Sequence, residues 1–245
     1  ADAALDRAVA AQAAWADVPV AERARILTAF VDAFVAKKEQ LGEELARQMG
    51  RPIRYGGGEV GGFEERARYM ISVAEESLKD VDVGEKAGFT RYIRRAPLGV
   101  VLVIAPWNFP FMTAVNAVVP ALMAGNAVIL KHAAQTLLCA ERFAEAFEEA
   151  GLPAGLFQVL HLTHDTTAGI IQSGKINFVS FTGSVRGGAE IEKAAAGQFI
   201  GTGLELGGKD PAYVRADADI AQAVDGLMDG AFFNSGQSCC GIERI

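Results

Sequence analysis

The sequence predicts an α/β fold in which a doubly wound parallel sheet follows a group of N-terminal helices. Short continuous apolar runs recur after residue 99, and amphipathic stretches of helical length separate them. Continuous apolar strands are typical of a parallel sheet that is buried on both faces. Size agrees with this prediction, because 245 residues, of which 51% are hydrophobic, can build one large α/β domain or a domain and a half.

The N-terminal part of the sequence predicts one helix after another. An apolar stripe at helical spacing covers 20–38, the triplet Gly50-Arg51-Pro52 ends the pattern, and a further helix is predicted at about 59–78. Residues 89–95 then alternate in strand fashion. The arginines of this segment fit an exposed strand or hairpin better than a phosphate-binding patch; they are Arg91, Arg94 and Arg95.

The region after residue 99 supplies the predicted sheet. Strands are predicted at 100–104, 127–130, 156–160, 177–181 and 201–206, and helices at 111–124, 136–150, 164–173 and 184–196. A strand at 212–214, a helix at about 219–232 and a cysteine-containing loop follow. Ligands of doubly wound, Rossmann-like sheets bind beyond the carboxyl ends of the strands, so the residues after each strand are the candidate site.

Composition argues against several classes of function. The formal net charge of −7 argues against a nucleic-acid-binding protein, which carries a basic field. No stretch approaches the roughly 18–20 continuous apolar residues of a membrane span. The three cysteines, two of them adjacent, indicate no disulfide framework and fit a reducing compartment. The sequence lacks a signal-peptide pattern and an initiator methionine, so we expect a cytoplasmic, trimmed or truncated chain.

Two turns at strand ends contain candidate binding groups. The turn after the first sheet strand, Ala105-Pro106-Trp107-Asn108-Phe109-Pro110, is made rigid by its prolines. It can direct the Asn108 amide at a developing oxyanion, or Asn108 can satisfy turn backbone. After the fourth strand, Thr182-Gly183-Ser184 opens a helix, where small residues allow backbone N–H groups to approach a pyrophosphate, although the turn is not a G-x-G-x-x-G fingerprint.

Two charged residues at strand ends are also candidates. Lys131 directly follows the second strand and can reach a ribose or phosphate, although strand-terminal lysines are ordinary. Glu205 lies between two leucines and before two glycines, so it is a candidate general base with a raised proton affinity from desolvation. The alternative is a strand-edge glutamate that pairs with Lys209.

Cys239 is the candidate nucleophile, because it follows a Gly-Gln pair in a loop after a helix. Cys139 falls on the apolar face of a predicted helix and is expected in the core, and Cys240 is treated as a neighbour of Cys239. No metal site is predicted, since His161 and His164 have no further ligands at workable spacing.

These segments together resemble the motifs of the NAD(P)-dependent aldehyde dehydrogenase superfamily. In order, they are the turn 106–110, the Gly-Asn-x-Val-x-x-Lys pattern that ends at Lys131, Phe-Thr-Gly-Ser at 181–184, Glu-Leu-Gly-Gly-Lys at 205–209, and Phe-Phe-Asn-x-Gly-Gln-x-Cys ending at Cys239. The resemblance covers essentially the whole chain.

The resemblance implies roles for the matching residues. Cys239 would attack an aldehyde, the Asn108 amide and the Cys239 backbone N–H would hold the oxyanion, and Glu205 would activate the water that releases a carboxylic acid. The cofactor, NAD or NADP, would lie against Ala105, Pro106, Trp107, Lys131, Gly183, Ser184, Gly188, Glu205 and Leu206. Ala134 stands where NAD-preferring members often have a glutamate, which removes a reason to exclude NADP, and Ala117 stands where many members have a lysine.

The family's length sets further expectations. Its chains are about twice as long, so the resemblance implies an N-terminal half: a cofactor-binding domain at 1–206 with a bridging hairpin at about 81–97, and the start of a catalytic domain at 207–245. We expect the isolated chain to have little turnover and the full-length protein to be a homodimer or homotetramer. Alternatives are a non-catalytic nucleotide-binding chain and a CoA-acylating relative, which Glu205 disfavours. The aldehyde is not identified; a semialdehyde is one candidate, with no committed carboxylate anchor.

Overall fold

The computed structural model describes all 245 residues, and it begins with helices that pack around phenylalanine rings. The helices are α1 (Asp2–Ala16), α2 (Val20–Val35), α3 (Lys38–Met49) and α4 (Ile53–Ser77). Phe30 and Phe34 of α2 contact Phe63 of α4, with ring centroids 5.7 and 4.2 Å apart. Aromatic pairs at such distances add to the stabilisation from apolar burial, so this cluster fixes α4 against α2.

The central sheet has five parallel strands in the order β5-β4-β3-β6-β7. They are β3 (Val100–Ala105), β4 (Ala127–His132), β5 (Phe157–Val159), β6 (Phe178–Thr182) and β7 (Gly201–Glu205). All residues of β3 and β4 are buried, as expected for strands with helices on both faces. The direction of winding reverses between β3 and β6, so the predicted doubly wound sheet is confirmed.

The connecting helices run between successive strands. They are α5 (Pro110–Met123), α6 (Leu137–Glu149), α7 (His164–Ile171) and α8 (Val185–Ala195), with a 3₁₀ turn at Ala134–Thr136. Parallel crossover connections are right-handed. Helices α5 and α6 connect strands in one direction along the sheet, and α8 connects strands in the other. These two sets of helices therefore cover opposite faces of the sheet. No helix of the structure is both long enough and apolar enough to span a membrane.

The segments outside this sheet differ from the sequence predictions. The strand predicted at 89–95 is reduced to β2 (Tyr92–Ile93), which pairs antiparallel with β1 (Val81–Asp82). Both strands are exposed, so no core face extends the pairing. The strand predicted at 212–214 is also wrong, because β8 (Asp210–Pro211) ends before it and pairs with β9 (Ile242–Arg244).

The last helix, α9 (Ile220–Phe232), contains no buried residue. It leads into a 3₁₀ turn at Phe233–Gly236, which begins the cysteine-containing loop. The apolar side chains on α9 recur every four residues and are exposed; they are Ile220, Val224, Met228 and Phe232. Surface helices ordinarily bury such a stripe, so α9 presents an uncovered apolar face.

Helix α4 begins at Ile53, six residues before the predicted start at 59, although its first turns are rich in glycine. Tertiary packing explains the difference: a Cβ at Gly56 would lie 2.7 Å from the Gly42 backbone of α3. The two helices therefore approach at a distance that only glycine permits, and glycine here lowers helix propensity but allows close contact.

We expect Gly56→Ala to lower the free energy of unfolding by about 1–3 kcal/mol, because overpacking forces α3 and α4 apart. Gly58 is the matched control: it is exposed on the same helix, and a Cβ there meets nothing within 4 Å. Gly58→Ala is expected to raise the free energy of unfolding by about 0.5–1 kcal/mol. Urea denaturation of both variants measures the difference, and equal effects would contradict the close packing.

Candidate active site

The turn between β3 and α5 holds Asn108 against the cysteine loop. The side-chain Oδ1 of Asn108 accepts a hydrogen bond from the Phe109 backbone N–H at 3.1 Å. Its Nδ2 donates to the Gln237 carbonyl at 3.1 Å. Asn108 therefore satisfies turn backbone, which is one of the two sequence interpretations. Its amide also reaches the cysteine loop, and the second N–H of the amide makes no hydrogen bond. The oxyanion role stays a prediction.

The cysteine loop has an unusual backbone conformation. Asn234, Ser235 and Gly236 are successively left-handed, with φ of 53°, 59° and 75°. Asn234 is completely buried, and its Nδ2 donates to the carbonyls of Asn108 at 3.1 Å and Gln237 at 3.2 Å. Its Oδ1 is buried without a hydrogen-bond partner. Left-handed backbone at non-glycine residues persists only when surrounding contacts enforce it, and the two hydrogen bonds of Asn234 Nδ2 are such contacts.

Cys239 is exposed in this loop, and so is Cys240. Partial desolvation, with a smaller effect of the Cys240 thiol, raises the pKa of Cys239, so this chain by itself does not favour the thiolate. Cys240 lies 3.2 Å from the Ser238 hydroxyl, measured from Sγ to Oγ. Cys139 is buried, as predicted, and burial raises the pKa of its thiol.

Glu205 ends β7 and lies in register with Thr182 of β6. Its side chain is exposed, so the desolvation expected from the flanking leucines is wrong for this chain. Pairing with Lys209 is also wrong, because Lys209 pairs with Glu243. The segment after Glu205 nevertheless reaches the cysteine loop: a Cβ at Gly208 would lie 2.6 Å from the Cys239 carbonyl oxygen. Glycine is needed there for the two backbones to meet.

Lys131 lies within β4 and not after it, because the strand continues to His132. The Lys131 side chain is buried, and desolvation lowers its pKa with no opposing carboxylate. A buried cation without a partner is costly, which makes Lys131 a candidate anion or ribose ligand.

His132 is buried, and burial lowers its pKa to about 4, so the neutral ring donates from Nε2 to the Pro110 carbonyl at 3.2 Å.

The N-terminus of α8 lies at the same carboxyl edge of the sheet. The Ser184 hydroxyl caps the helix by accepting the Gly187 N–H at 3.1 Å. The Gly183 N–H donates to the Glu205 carbonyl at 2.9 Å, and a Cβ at Gly188 would lie 2.6 Å from Leu206. The predicted residues Gly183, Ser184, Glu205 and Leu206 thus lie together at the carboxyl edge of the sheet, and the predicted residue Gly188 is buried against Leu206. The α8 N-terminus suits an anion.

Three further residues at the predicted turn lie on the same edge of the sheet. Ala105 is the last residue of β3 and is in register with His132, whereas Pro106 and Trp107 are half-buried. They lie where the winding of the sheet reverses, which is the usual ligand crevice of a doubly wound fold. The turn therefore brings the candidate cofactor residues and Asn108 to one place.

Sequence reasoning missed the buried pair of Arg51 and Glu59, which contacts this turn. Their side chains are 1% and 0% exposed, with Arg51 Nη2 2.6 Å from Glu59 Oε2. Burial raises the pKa of Glu59 to about 7, against the opposing effect of Arg51. The only sequence signal for this pair is the arginine inside the Gly-Arg-Pro break that ends the predicted helix.

Fold and site together define a Rossmann-like α/β protein with an exposed cysteine in a loop that contacts the turn after β3. The family model "Aldehyde dehydrogenase family" matches residues 1–245, and the chain belongs to this family. A probable NADP(+)-dependent succinate-semialdehyde dehydrogenase of Synechocystis is 36% identical over 244 residues, which is 100% of this chain and 54% of that protein. An NAD(P)+-dependent succinate semialdehyde dehydrogenase of Escherichia coli is 34% identical, over 99% of this chain and 52% of that protein.

Solved structures show the same relationship. The succinic semialdehyde dehydrogenase of Streptococcus pyogenes, solved with NADP+, matches with a TM-score of 0.92 and 30% identity. The match covers 98% of this chain and 53% of that one. The chain therefore spans about half the length of the relatives that it matches.

Proposed function

We propose that the complete polypeptide containing these 245 residues oxidises an aldehyde to a carboxylic acid with NAD+ or NADP+. The observation that carries this proposal is the bond from Asn108 Nδ2 to the Gln237 carbonyl, two residues before Cys239. It holds an amide donor beside the loop of an exposed thiol, which is the arrangement that oxyanion stabilisation needs. Family membership and the named activities of the relatives support the same reaction.

In the proposed mechanism the exposed Cys239 thiol gives its proton to solvent water, and the thiolate sulphur attacks the aldehyde carbon. The carbonyl oxygen becomes an oxyanion, which the Asn108 amide and the Cys239 backbone N–H stabilise. A nicotinamide cofactor held by Lys131 and the α8 N-terminus would supply the hydride acceptor. Loss of hydride from the aldehyde carbon would leave a thioester on Cys239. Glu205 takes a proton from water, the water attacks the thioester, and the carboxylic acid leaves as the thiol is restored. Covalent catalysis divides one difficult step into two easier ones.

The cofactor site we propose follows the carboxyl edge of the sheet. Lys131 supplies a buried cation, and the α8 N-terminus supplies backbone N–H groups for phosphate. Position 134 is alanine, so no carboxylate there repels a 2′-phosphate, which permits NADP as well as NAD. We assign 1–206 to cofactor binding, with a bridging hairpin at 81–97, and 207–245 to the start of a catalytic domain. A homodimer or homotetramer is the proposed assembly.

A second candidate applies to the 245-residue chain alone: it binds cofactor without turnover. Specific observations favour it, since Cys239 and Glu205 are both exposed and α9 has no buried residue. A productive site excludes bulk water around the reacting groups.

An aldehyde panel tests the proposed function. The complete polypeptide is assayed with NAD+ and NADP+ against aliphatic, aromatic and carboxylate-bearing aldehydes, including succinic semialdehyde, and NAD(P)H formation is followed by absorbance. We expect one class of aldehyde to give turnover with equimolar carboxylic acid. No acid formation from any aldehyde by the complete polypeptide would contradict the proposal. Cofactor binding without acid formation by the 245-residue chain alone would support the second candidate.

Lys131→Met is expected to weaken NADP+ binding about 10–100-fold, since a charge-assisted hydrogen bond contributes about 1.5–3 kcal/mol. Isothermal titration measures the dissociation constant. Lys193→Met is the control, because Lys193 is exposed on α8 and pairs only with Glu190. An equal loss in both variants would show a general charge effect and remove Lys131 from the site.

A further inference from the structure

Arg51 and Glu59 both hold the turn that carries Asn108, one at each end. Arg51 lies between α3 and α4, and its Nη2 donates to the Asn108 carbonyl at 2.8 Å. The guanidinium also lies over the Phe109 ring, 4.6 Å from its centroid. Arg51 therefore contacts the backbone of the proposed oxyanion donor on one side and the next side chain on the other.

Glu59 acts on the other end of the same turn. Its Oε1 accepts the backbone N–H of Phe111 at 2.9 Å and that of Met112 at 3.5 Å. These are the first free N–H groups of α5, whose own N-cap, Phe109, has no side-chain hydrogen bond. A carboxylate from α4 thus caps α5, and the helix dipole favours its charge. The turn is held at both ends by residues from outside it.

An apolar pair of similar volume would stabilise the fold about as much as the Arg51–Glu59 ion pair does. Burying two charges carries a desolvation cost that their attraction often only offsets. Arg51 Nε has no hydrogen-bond partner, and Glu59 Oε2, although 2.6 Å from Arg51 Nη2, makes no aligned hydrogen bond. Hydrogen bonds and ion pairs are directional, so polar groups buried at such a cost fix the positions of the atoms that they contact.

We propose that Arg51 and Glu59 are positioning residues that fix the Asn108 side-chain amide in the direction of the cysteine loop. The catalytic consequence rests on the proposed function, whereas the positioning itself does not. The path from the pair to the loop is continuous: Arg51 bonds the Asn108 carbonyl, Asn234 bonds the same carbonyl, and both asparagines donate to the Gln237 carbonyl.

Hydrogen exchange followed by mass spectrometry tests the positioning. Arg51→Lys keeps the positive charge but loses the planar fork, and Glu59→Gln keeps the shape of the cap but loses its charge. We expect each to speed exchange in peptides 105–113 and 234–241 on the order of 10-fold. The matched controls are Arg142→Lys and Glu44→Gln, whose largely buried pair joins α6 to α3 with Nη2 and Oε1 2.7 Å apart. The same acceleration in the controls, or none in the test variants, overturns the proposal.

Kinetics in the complete polypeptide test the consequence. Arg51→Lys is expected to slow the hydride-transfer burst about 10–100-fold, less than the roughly 10²–10³-fold expected for Asn108→Ala, with the KM for cofactor nearly unchanged. In the Asn108→Ala background, Arg51→Lys should cost nothing further, because it acts through that amide. If Arg51→Lys and Asn108→Ala reduce the burst rate multiplicatively when combined, the positioning role is overturned. If wild type oxidises no aldehyde, the proposed function fails, and the exchange result alone upholds or overturns the positioning.

Discussion

In the complete polypeptide, Cys239→Ala is expected to lower kcat/KM for aldehyde oxidation on the order of 10⁴-fold or more, because the mechanism we propose needs a covalent intermediate on this thiol. Cofactor binding should be unchanged, since the proposed cofactor residues lie at the sheet edge and on α8. The burst of NAD(P)H should also disappear, because hydride leaves only from the tetrahedral adduct.

The adjacent thiol provides the control for this prediction. Cys240 is exposed like Cys239, lies one residue further on and contacts Ser238. Cys240→Ala should keep most of the activity, and iodoacetamide should still inactivate it with one equivalent of label on Cys239. If Cys240→Ala removes the activity and Cys239→Ala does not, the nucleophile has been assigned to the wrong cysteine.

Glu205→Gln is expected to separate the two halves of the reaction. The burst of NAD(P)H should remain, because the carboxylate takes no part in forming the thioester. The steady rate should fall about 10²–10⁴-fold, which is the usual contribution of a general base. Rapid-mixing kinetics measure both phases in one experiment, and acid quenching should trap an acyl group on the protein.

Glu243→Gln is the matched control, because Glu243 pairs with Lys209 on the segment that follows Glu205. It removes one carboxylate from the same region without altering the proposed base. A steady rate that survives in Glu205→Gln would exclude the base role, and an equal loss in both variants would indicate a general electrostatic effect.

The sequence was a good guide to the central sheet. Apolar runs such as 100–104 were recognisable because buried parallel strands need continuous apolar residues, and the helices between them had a clear period. The predicted strand at 89–95 is longer than β2, and the one at 212–214 misses β8, since their pairing depends on partners distant in the chain or on exposed faces that leave no apolar pattern.

The residues of the candidate site also separate into those that the sequence could predict and those that it could not. Asn108, Lys131 and Cys239 could be proposed from strand ends, because the doubly wound topology brings those ends to one edge. Arg51 and Glu59 could not, since their function depends on contacts with Asn108 and Phe111, more than fifty positions away. The exposure of Glu205 was also unpredictable, because two flanking leucines do not determine what covers a side chain.

The uncovered face of α9 has a consequence for colloidal stability. Its apolar stripe attracts copies of the chain to one another, while the net charge of −7 keeps them apart. At 0.1 M, added salt screens the repulsion between charges more than about 10 Å apart but leaves the apolar attraction intact. We therefore expect the solubility of the isolated chain to fall as ionic strength rises and to fall further as the pH approaches the isoelectric point near 5.1.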